Sequence, residues 1–429
     1  MKTEQIGKTI AGFRKKYHYT QDSLADKLGI SSQAISKWEN GICLPDVSLL
    51  VELSNLFSVS VDELLCHKKV QSVTDFMLRN MAAPDSKQLP NIPKISRWDP
   101  PKGCDMFYSM PATIAEALCC IEAYERGQNE NVSMETLNGR FHELMHIMGI
   151  GYGFLWREKG NLIEELWHIN DFYEMVDHAM RYYGRDYLWL TKGNALTDDM
   201  RKSLVWSIDR GHPVVMEWAG GIPEFSIVTG YENNGNTLIG WTYCPECAAK
   251  STAEGMFVNP ARWDENFNFH MLVIGDKIAP TFSDKDSVEY ALEALGREIP
   301  GDKNLPDTIA GDAALRKWLD ACCTTEDTIR LFNENSIYTY ALKMNSIYAQ
   351  KCVLPYFKQL AEKHNRQVND IVIQIGIAIG IIESDRQQLE SLKSDPAAYA
   401  SACKKHVEGL LRHREYMRGW LKALSNLLS

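Results

Sequence analysis

The 429-residue sequence has no long hydrophobic run. Its most apolar stretch, Ile371 to Ile382, is broken by Gln374 and is shorter than the roughly 20 residues needed to cross a bilayer. The N-terminus MKTEQIGKTI lacks an apolar core and a small-residue cleavage pattern, so no export signal is read and a cytoplasmic location is expected. There is no excess of positive charge either. A formal net charge of −10 excludes a chain that coats nucleic acid indiscriminately, although one small DNA-reading module on an acidic body remains compatible with it. The 11 cysteines are odd in number and irregularly spaced, which does not describe a disulfide framework. Free thiols packed as small hydrophobes, and no structural disulfide, are expected. Repeats and low-complexity tracts are also missing. What is there, 45% hydrophobic and 24% charged residues, is ordinary globular composition for two or three domains.

The chain divides by pattern into four stretches. Residues 1–66 read as five short helices. Ile6, Ile10, Phe13 and Tyr17 recur at helical spacing, Thr20 is placed to cap the next helix with Leu24, Ala25 and Leu28 on its apolar face, and Gly29 ends it. A third helix runs from Ser32 to Asn40, a fourth follows Pro45-Asp46, and a fifth covers Val61 to Leu65. Residues 67–103, with KQLPNIPKISRWDPPKG, read as a linker or extended arm. Residues 104–284 mix helical signals (Ala112 to Arg126, Met134 to Ile147, Asp171 to Tyr183) with strand signals at Val214 to Trp218, Phe225 to Tyr231 and Thr237 to Tyr243. The last two flank Asn233-Asn234-Gly235, a strong hairpin turn. Residues 285–429 carry long amphipathic patterns at Ile337 to His364, Val368 to Glu383 and Tyr399 to Leu428. The expected fold is multidomain α+β: an all-α N-terminal domain, an α+β middle domain and a C-terminal helical bundle.

Two helices joined across Gly29-Ile30-Ser31, the second short and polar outside, have the dimensions of a helix-turn-helix. Ile35 and Trp38 would anchor the second helix, leaving Ser32, Gln33, Ser36 and Lys37 facing outward. Glutamine can pair bidentately with adenine, lysine can donate to guanine or phosphate, and serine suits a base edge or a phosphate. Gln21 and Asn40 at helix ends are placed to grip backbone phosphates, with Ser31 at the turn. The string TQDSLADKLGISSQAISKWENGICLPD resembles the Cro/phage-repressor (Xre-type) DNA-binding family nearly throughout. That resemblance implies phosphate contacts from Gln21 and Asn40 and base reading by Ser32, Gln33 and Lys37. Residues 1–66 hold seven Lys and Arg against eight Asp and Glu, so one module alone should bind weakly, and a dimer on a palindromic site is expected.

In the middle stretch, MFYSMPATIAEALCCIEAYERG places Ser109 just before Pro111 and a helix, and GHPVVMEWAGGIPEFSIVTGYENNGNTLIGW follows as glycine-linked strands. The layout resembles papain-like cysteine peptidases of the bacteriocin-exporter type, and more particularly the amino-acyl transfer domain of butirosin biosynthesis, which has a Gly-rich aromatic segment comparable to MGIGYGFLWRE. The resemblance implies a nucleophile, base and orienter at positions where this chain has Ser109, Glu224 and Trp241. A serine needs a nearby base, and a solvated glutamate with pKa near 4.3 is a poor one. No catalysis is therefore expected, and the vacated cleft becomes a ligand pocket. Ten aromatic residues lie between Tyr152 and Trp189. Tyr152 and Trp156, after the glycine-rich turn, are the candidate lining residues beside Ser109, Glu224 and Trp241.

Two motifs carry other chemistry. His142-Glu143-Leu144-Met145-His146 fits the H-E-x-x-H zinc pattern, but Tyr152 stands where a third histidine would. A surface or pocket-edge pair of histidines suffices to explain it. Cys244-Pro245-Glu246-Cys247 is a single C-x-x-C without a second pair, read as a turn with free thiols. No metal or cofactor is expected. The whole reads as a dimeric transcriptional regulator with a double-stranded DNA operator and a small-molecule or peptide effector as partners, and no membrane. The alternative is an enzyme, an acyltransferase or peptidase through Ser109 or a nearby cysteine such as Cys104, or a zinc hydrolase through His142 and His146.

Overall fold

A computed structural model describes residues 3–16, 19–46, 49–50, 52–53, 56, 85–89, 109–127, 132–153, 155–157, 171–191, 195–221, 224–242, 256–263, 269–298, 308–321, 349–364, 366–392 and 395–428. The chain forms two compact units, Met1–Ser72 and Val73–Ser429. The expected fifth helix at Val61 to Leu65, most of the 67–103 arm and the Cys244 to Cys247 turn lie outside the described residues.

In the first unit, α1 (Thr3–Lys16), α2 (Gln21–Leu28) and α3 (Ser32–Glu39) enclose a core of Ile6, Ile10, Leu24, Ala25, Leu28, Ile35, Trp38 and Leu53. Local chemistry sets the boundaries. Thr20 and Ser23 form a reciprocal capping box at the start of α2, and Gly29 ends that helix in the left-handed region at φ 64°. Ser31 then caps α3 by accepting from the Ala34 amide at 3.3 Å. Gly7 is required by packing: a Cβ there would lie 2.2 Å from the Trp38 carbonyl oxygen, so α1 and α3 meet backbone to backbone. Gly7→Ala should therefore lower module stability by about 1–3 kcal/mol, the overpacking penalty exceeding the roughly 1 kcal/mol of helix propensity that alanine adds. Thermal melting of the variant would show the reverse sign if that contact were loose.

In the second unit the elements run β1 (Lys87–Gln88), α4 (Ser109–Glu125), α5 (Met134–Ile147), β2 (Leu155–Arg157), α6 (Phe172–Tyr183), β3 (Arg185–Thr191), α7 (Thr197–Asp209), β4 (Val214–Glu217), β5 (Phe225–Glu232), β6 (Thr237–Trp241), β7 (Met256–Pro260), β8 (His270–Lys277), α8 (Asp284–Gly296), β9 (Thr308–Ala310), α9 (Gly311–Ala321), α10 (Ala349–Lys363), α11 (Arg366–Ser391) and α12 (Pro396–Leu427). The main sheet is antiparallel, in the order β3-β8-β4-β5-β6-β7, with β1 added to β5. β2 and β9 form a separate ribbon. The β5–β6 hairpin turns through Asn233, Asn234 and Gly235, all at positive φ, as that tripeptide favours.

Alternation along the strands gives the sheet two buried faces. Trp189, Val215, Phe225, Ile227, Leu272 and Ile274 join the core built with α4, α5, α6, α8, α10, α11 and α12. Leu188, Leu190, Val214, Met216, Val228, Met271 and Val273 face a second core with α7. The boundary expected at residue 284 is therefore not a structural division. Met110 to Leu295 and Cys352 to Leu424 contribute to one continuous core, because the apolar faces of the C-terminal helices close over the sheet instead of over one another alone. The expectation of free thiols also needs correction. Cys43, Cys119 and Cys120 are free, whereas Cys352 takes part in a disulfide; irregular spacing in sequence does not prevent two cysteines from meeting in space.

Candidate functional site

Helix α3 is held by its inner face and offers its outer one. Ile35 and Trp38 are buried, Ser31, Gln33, Lys37 and Asn40 are exposed, and Ser32 and Ser36 are half-buried. A polar clamp fixes the far end of the helix. Arg14 Nε meets Glu39 Oε1 at 2.5 Å, Arg14 Nη2 donates to Glu39 Oε2 at 3.0 Å, and Gln21 Nε2 donates to the same oxygen at 2.7 Å. All three helices are thus tied at one carboxylate. The Gln21 amide nitrogen, read from sequence as a phosphate ligand, is engaged in this clamp. Asn40 Nδ2 likewise donates to the Ser36 carbonyl at 2.8 Å. The clamp could not be read from the sequence, since its partners stand 18 and 25 positions apart with no periodic signal.

A capped helix, a left-handed glycine turn and a second short helix with a polar outer side define the class: a helix-turn-helix module. Residues 10–64 match the family model described as Helix-turn-helix. The chain is 36% identical over 64 residues to the HTH-type transcriptional regulator YazB of Bacillus subtilis (strain 168), covering 15% of this chain and 93% of that protein. It belongs to this helix-turn-helix family. It is also 37% identical over 75 residues to the HTH-type transcriptional regulator ImmR of the same organism, covering 18% of this chain. Against the cryptic phage CTXphi transcriptional repressor RstR of Vibrio cholerae serotype O1 (strain ATCC 39315 / El Tor Inaba N16961) it is 33% identical over 75 residues, covering 18% of this chain and 67% of RstR. The chain spans 59% of the length of ImmR and 35% of the length of the HTH-type transcriptional activator BcrR of Enterococcus faecalis.

In the larger unit, Ser109 is the first residue of α4, 2% exposed, and its Oγ accepts from the Phe225 amide at 3.3 Å. Glu224 immediately precedes β5, with its carbonyl accepting from the Trp218 amide at 3.2 Å. Trp241 ends β6 opposite Ile227 and packs on the same core. These three positions therefore share one end of the sheet. Tyr152 does not join them. It is 1% exposed, its Oη meets His146 Nδ1 at 2.5 Å, and its carbonyl accepts from Arg414 at 2.8 Å, so it is an interior post and not a cleft wall. Trp156 lies on β2, and its side chain is outside the described residues. A pair that sequence reading missed stands at the Ser109 end of the sheet: Glu217 Oε2 accepts from the His270 amide at 3.2 Å and meets His270 Nδ1 at 2.8 Å, while the imidazole stacks on Trp189. Glu217 is in register with Phe225, and its neighbour Met216 with Met271 of β8. Only strand pairing brings residues 53 positions apart together.

The two histidines of α5 are buried, against the expectation of a surface or pocket-edge pair, and they serve different partners. His142 Nδ1 lies 2.6 Å from the Cys352 carbonyl, while His146 Nε2 lies 3.2 Å from Ser287 Oγ and its ring stacks on Tyr356. Glu143 accepts from Tyr183 Oη at 2.9 Å. Among the described residues no group of three or more His, Cys, Asp or Glu is placed to hold a metal ion. Burial disfavours the charged imidazole, lowering the His146 pKa to about 3 and that of His413, beside Arg414, to about 4. Both are neutral in the fold and gain protons on unfolding. Stability should thus be complete above about pH 6.5 and fall as the pH drops from there toward 4, by about 1.4 kcal/mol per unit for each histidine. Urea midpoints measured from pH 7.5 to 5 should decrease; a rise would contradict neutral burial.

Proposed function

We propose that the chain is a DNA-binding transcriptional regulator that reads a double-stranded operator through Ser32, Gln33, Ser36 and Lys37, with Ser31, Gln21 and Asn40 at the edge of the contact. The observation that carries this reading is the two-sided character of α3, whose inner face is locked by Ile35, Trp38 and the Glu39 clamp while Gln33 and Lys37 stand exposed. A groove reader needs that combination, because base contacts discriminate only when the helix bearing them cannot reorient. The regulatory role of ImmR and RstR, stated in their names, is consistent with it. With as many acidic as basic residues in the module, tight binding calls for two copies on a pseudo-palindromic site, so the functional species is a homodimer.

The larger unit is read as an effector-sensing region on a papain-like frame without catalysis. Support comes from Ser109 at the N-terminus of α4 touching the first residue of β5, with Glu224 just before that strand and Trp241 opposite Ile227 at the same end of the sheet. A small molecule or peptide that binds one arrangement of the dimer better than another would shift operator affinity by that difference in binding. An enzymatic reading would instead draw on the Glu217 and His270 pair at the same sheet end. The test is a gel-shift titration of the full chain with the DNA upstream of its own gene at several salt concentrations. Specific retardation that weakens steeply with salt is expected; acylation of Ser109 by an activated ester, with turnover, would overturn the non-catalytic part.

A further inference from the structure

Between Ile371 and Ile382 the helix α11 is apolar on nearly its whole circumference, although only one side is covered. Val368, Val372, Ile375, Ile379 and Ile382 are buried in the cores shared with α10 and α12. On the opposite side Ile373, Ile377 and Ile381 are 48%, 54% and 59% exposed. Gln374 and Gly380 are the other exposed residues between them, and a Cβ at Gly380 would meet nothing within 4 Å. Among the described residues, the exposed positions between Asp370 and Ser384 carry no charge. A helix with isoleucine on every face is expected to be buried on every face.

We infer that this stripe is the dimer surface, packed antiparallel against the same stripe of a second copy. This deepens the reading above, which requires two DNA modules and names no surface to join them. The pattern is self-complementary. About a two-fold axis at Ile377, Ile373 faces Ile381, Ile377 faces itself, Gln374 faces the open position at Gly380, and Asp370 faces Ser384, so no like charges oppose one another. A membrane surface is a poorer match, because an interfacial helix carries lysine or arginine beside its apolar face and these exposed positions have none. Three half-exposed isoleucines per copy make a contact smaller than the roughly 800 Å² per partner of a standard interface. The free protein should therefore be a concentration-dependent dimer that operator DNA completes.

Sedimentation velocity of the full chain over rising concentration should show reversible dimerisation. Ile377→Glu, which sets like charges against each other at the axis, should weaken it at least tenfold and leave the circular dichroism spectrum unchanged. Leu196→Glu, at a residue 74% exposed just before α7, should have no effect. On oxidation Ile377→Cys should cross-link to itself above the background of the unsubstituted chain, whereas Ile373→Cys should link only to Ile381→Cys. A chain that is monomeric throughout, an Ile377→Glu dimer as strong as the parent, or self-linking of Ile373→Cys but not Ile377→Cys would each overturn the inference. Loss of operator affinity in Ile377→Glu with sequence preference kept would support it. If the parent chain retards no DNA yet still dimerises through Ile377, the DNA reading fails and this surface stands.

Discussion

Replacing Gln33 and Lys37 together by alanine is expected to abolish discrimination between operator and random DNA while leaving the module folded. Both side chains are exposed and contribute no core contact, and alanine is the better helix former, so melting should not change appreciably. A lost bidentate or charged base contact costs about 1–3 kcal/mol, roughly 5- to 150-fold in affinity, and a symmetric dimer loses it twice. The double variant should thus fall by several powers of ten on the operator and much less on random sequence, where phosphate contacts dominate. Competition gel shifts measure this directly. Unchanged preference in the double variant would remove α3 as the reader.

The second large effect concerns the interior of the larger unit. Arg414 is 3% exposed; it meets Asp312 at 2.7 Å and donates to the carbonyls of Tyr152 at 2.8 Å and Leu295 at 2.5 Å. One guanidinium so joins α12, α9, the turn after α5 and the end of α8. Asp312→Ala would leave this buried charge unpaired and should lower stability by about 3–5 kcal/mol. Arg418→Ala removes the other partner of Asp312, a bond at 2.6 Å from a third-exposed side chain, and should cost no more than about 1 kcal/mol. Urea unfolding of the two variants separates them. Equal, small losses would mean that water reaches Arg414 and that the junction is not sealed.

Much of the smaller unit was legible because its determinants are neighbours in the chain. Thr20 caps through Ser23, Gly29 takes its left-handed turn, and Ile35 and Trp38 fall on one side of a single helix turn. The β5–β6 hairpin was legible for the same reason, its turn residues standing between the strands they join. Strand β8 was not. His270 to Lys277 inserts between β3 and β4, an order that no local pattern encodes, and with it the meeting of His270 and Glu217 was invisible. The H-E-x-x-H motif illustrates the same limit. Its spacing is that of zinc ligands, yet the surroundings of His142 and His146 are a carbonyl on α10 and hydroxyls from Tyr152 and Ser287.

By itself the sequence determined the helix-turn-helix, its capping and turn chemistry, and the polar set that faces away from its core. These follow from hydrogen bonds and side-chain periodicity over three or four residues, which any isolated segment already expresses. Only the tertiary structure decided that residues 110–295 and 352–424 share a core, that Tyr152 is an interior post, and that three isoleucines of α11 stay uncovered. Each of those depends on which distant surfaces meet when the chain closes, a competition among many apolar faces of similar strength that only packing in three dimensions resolves.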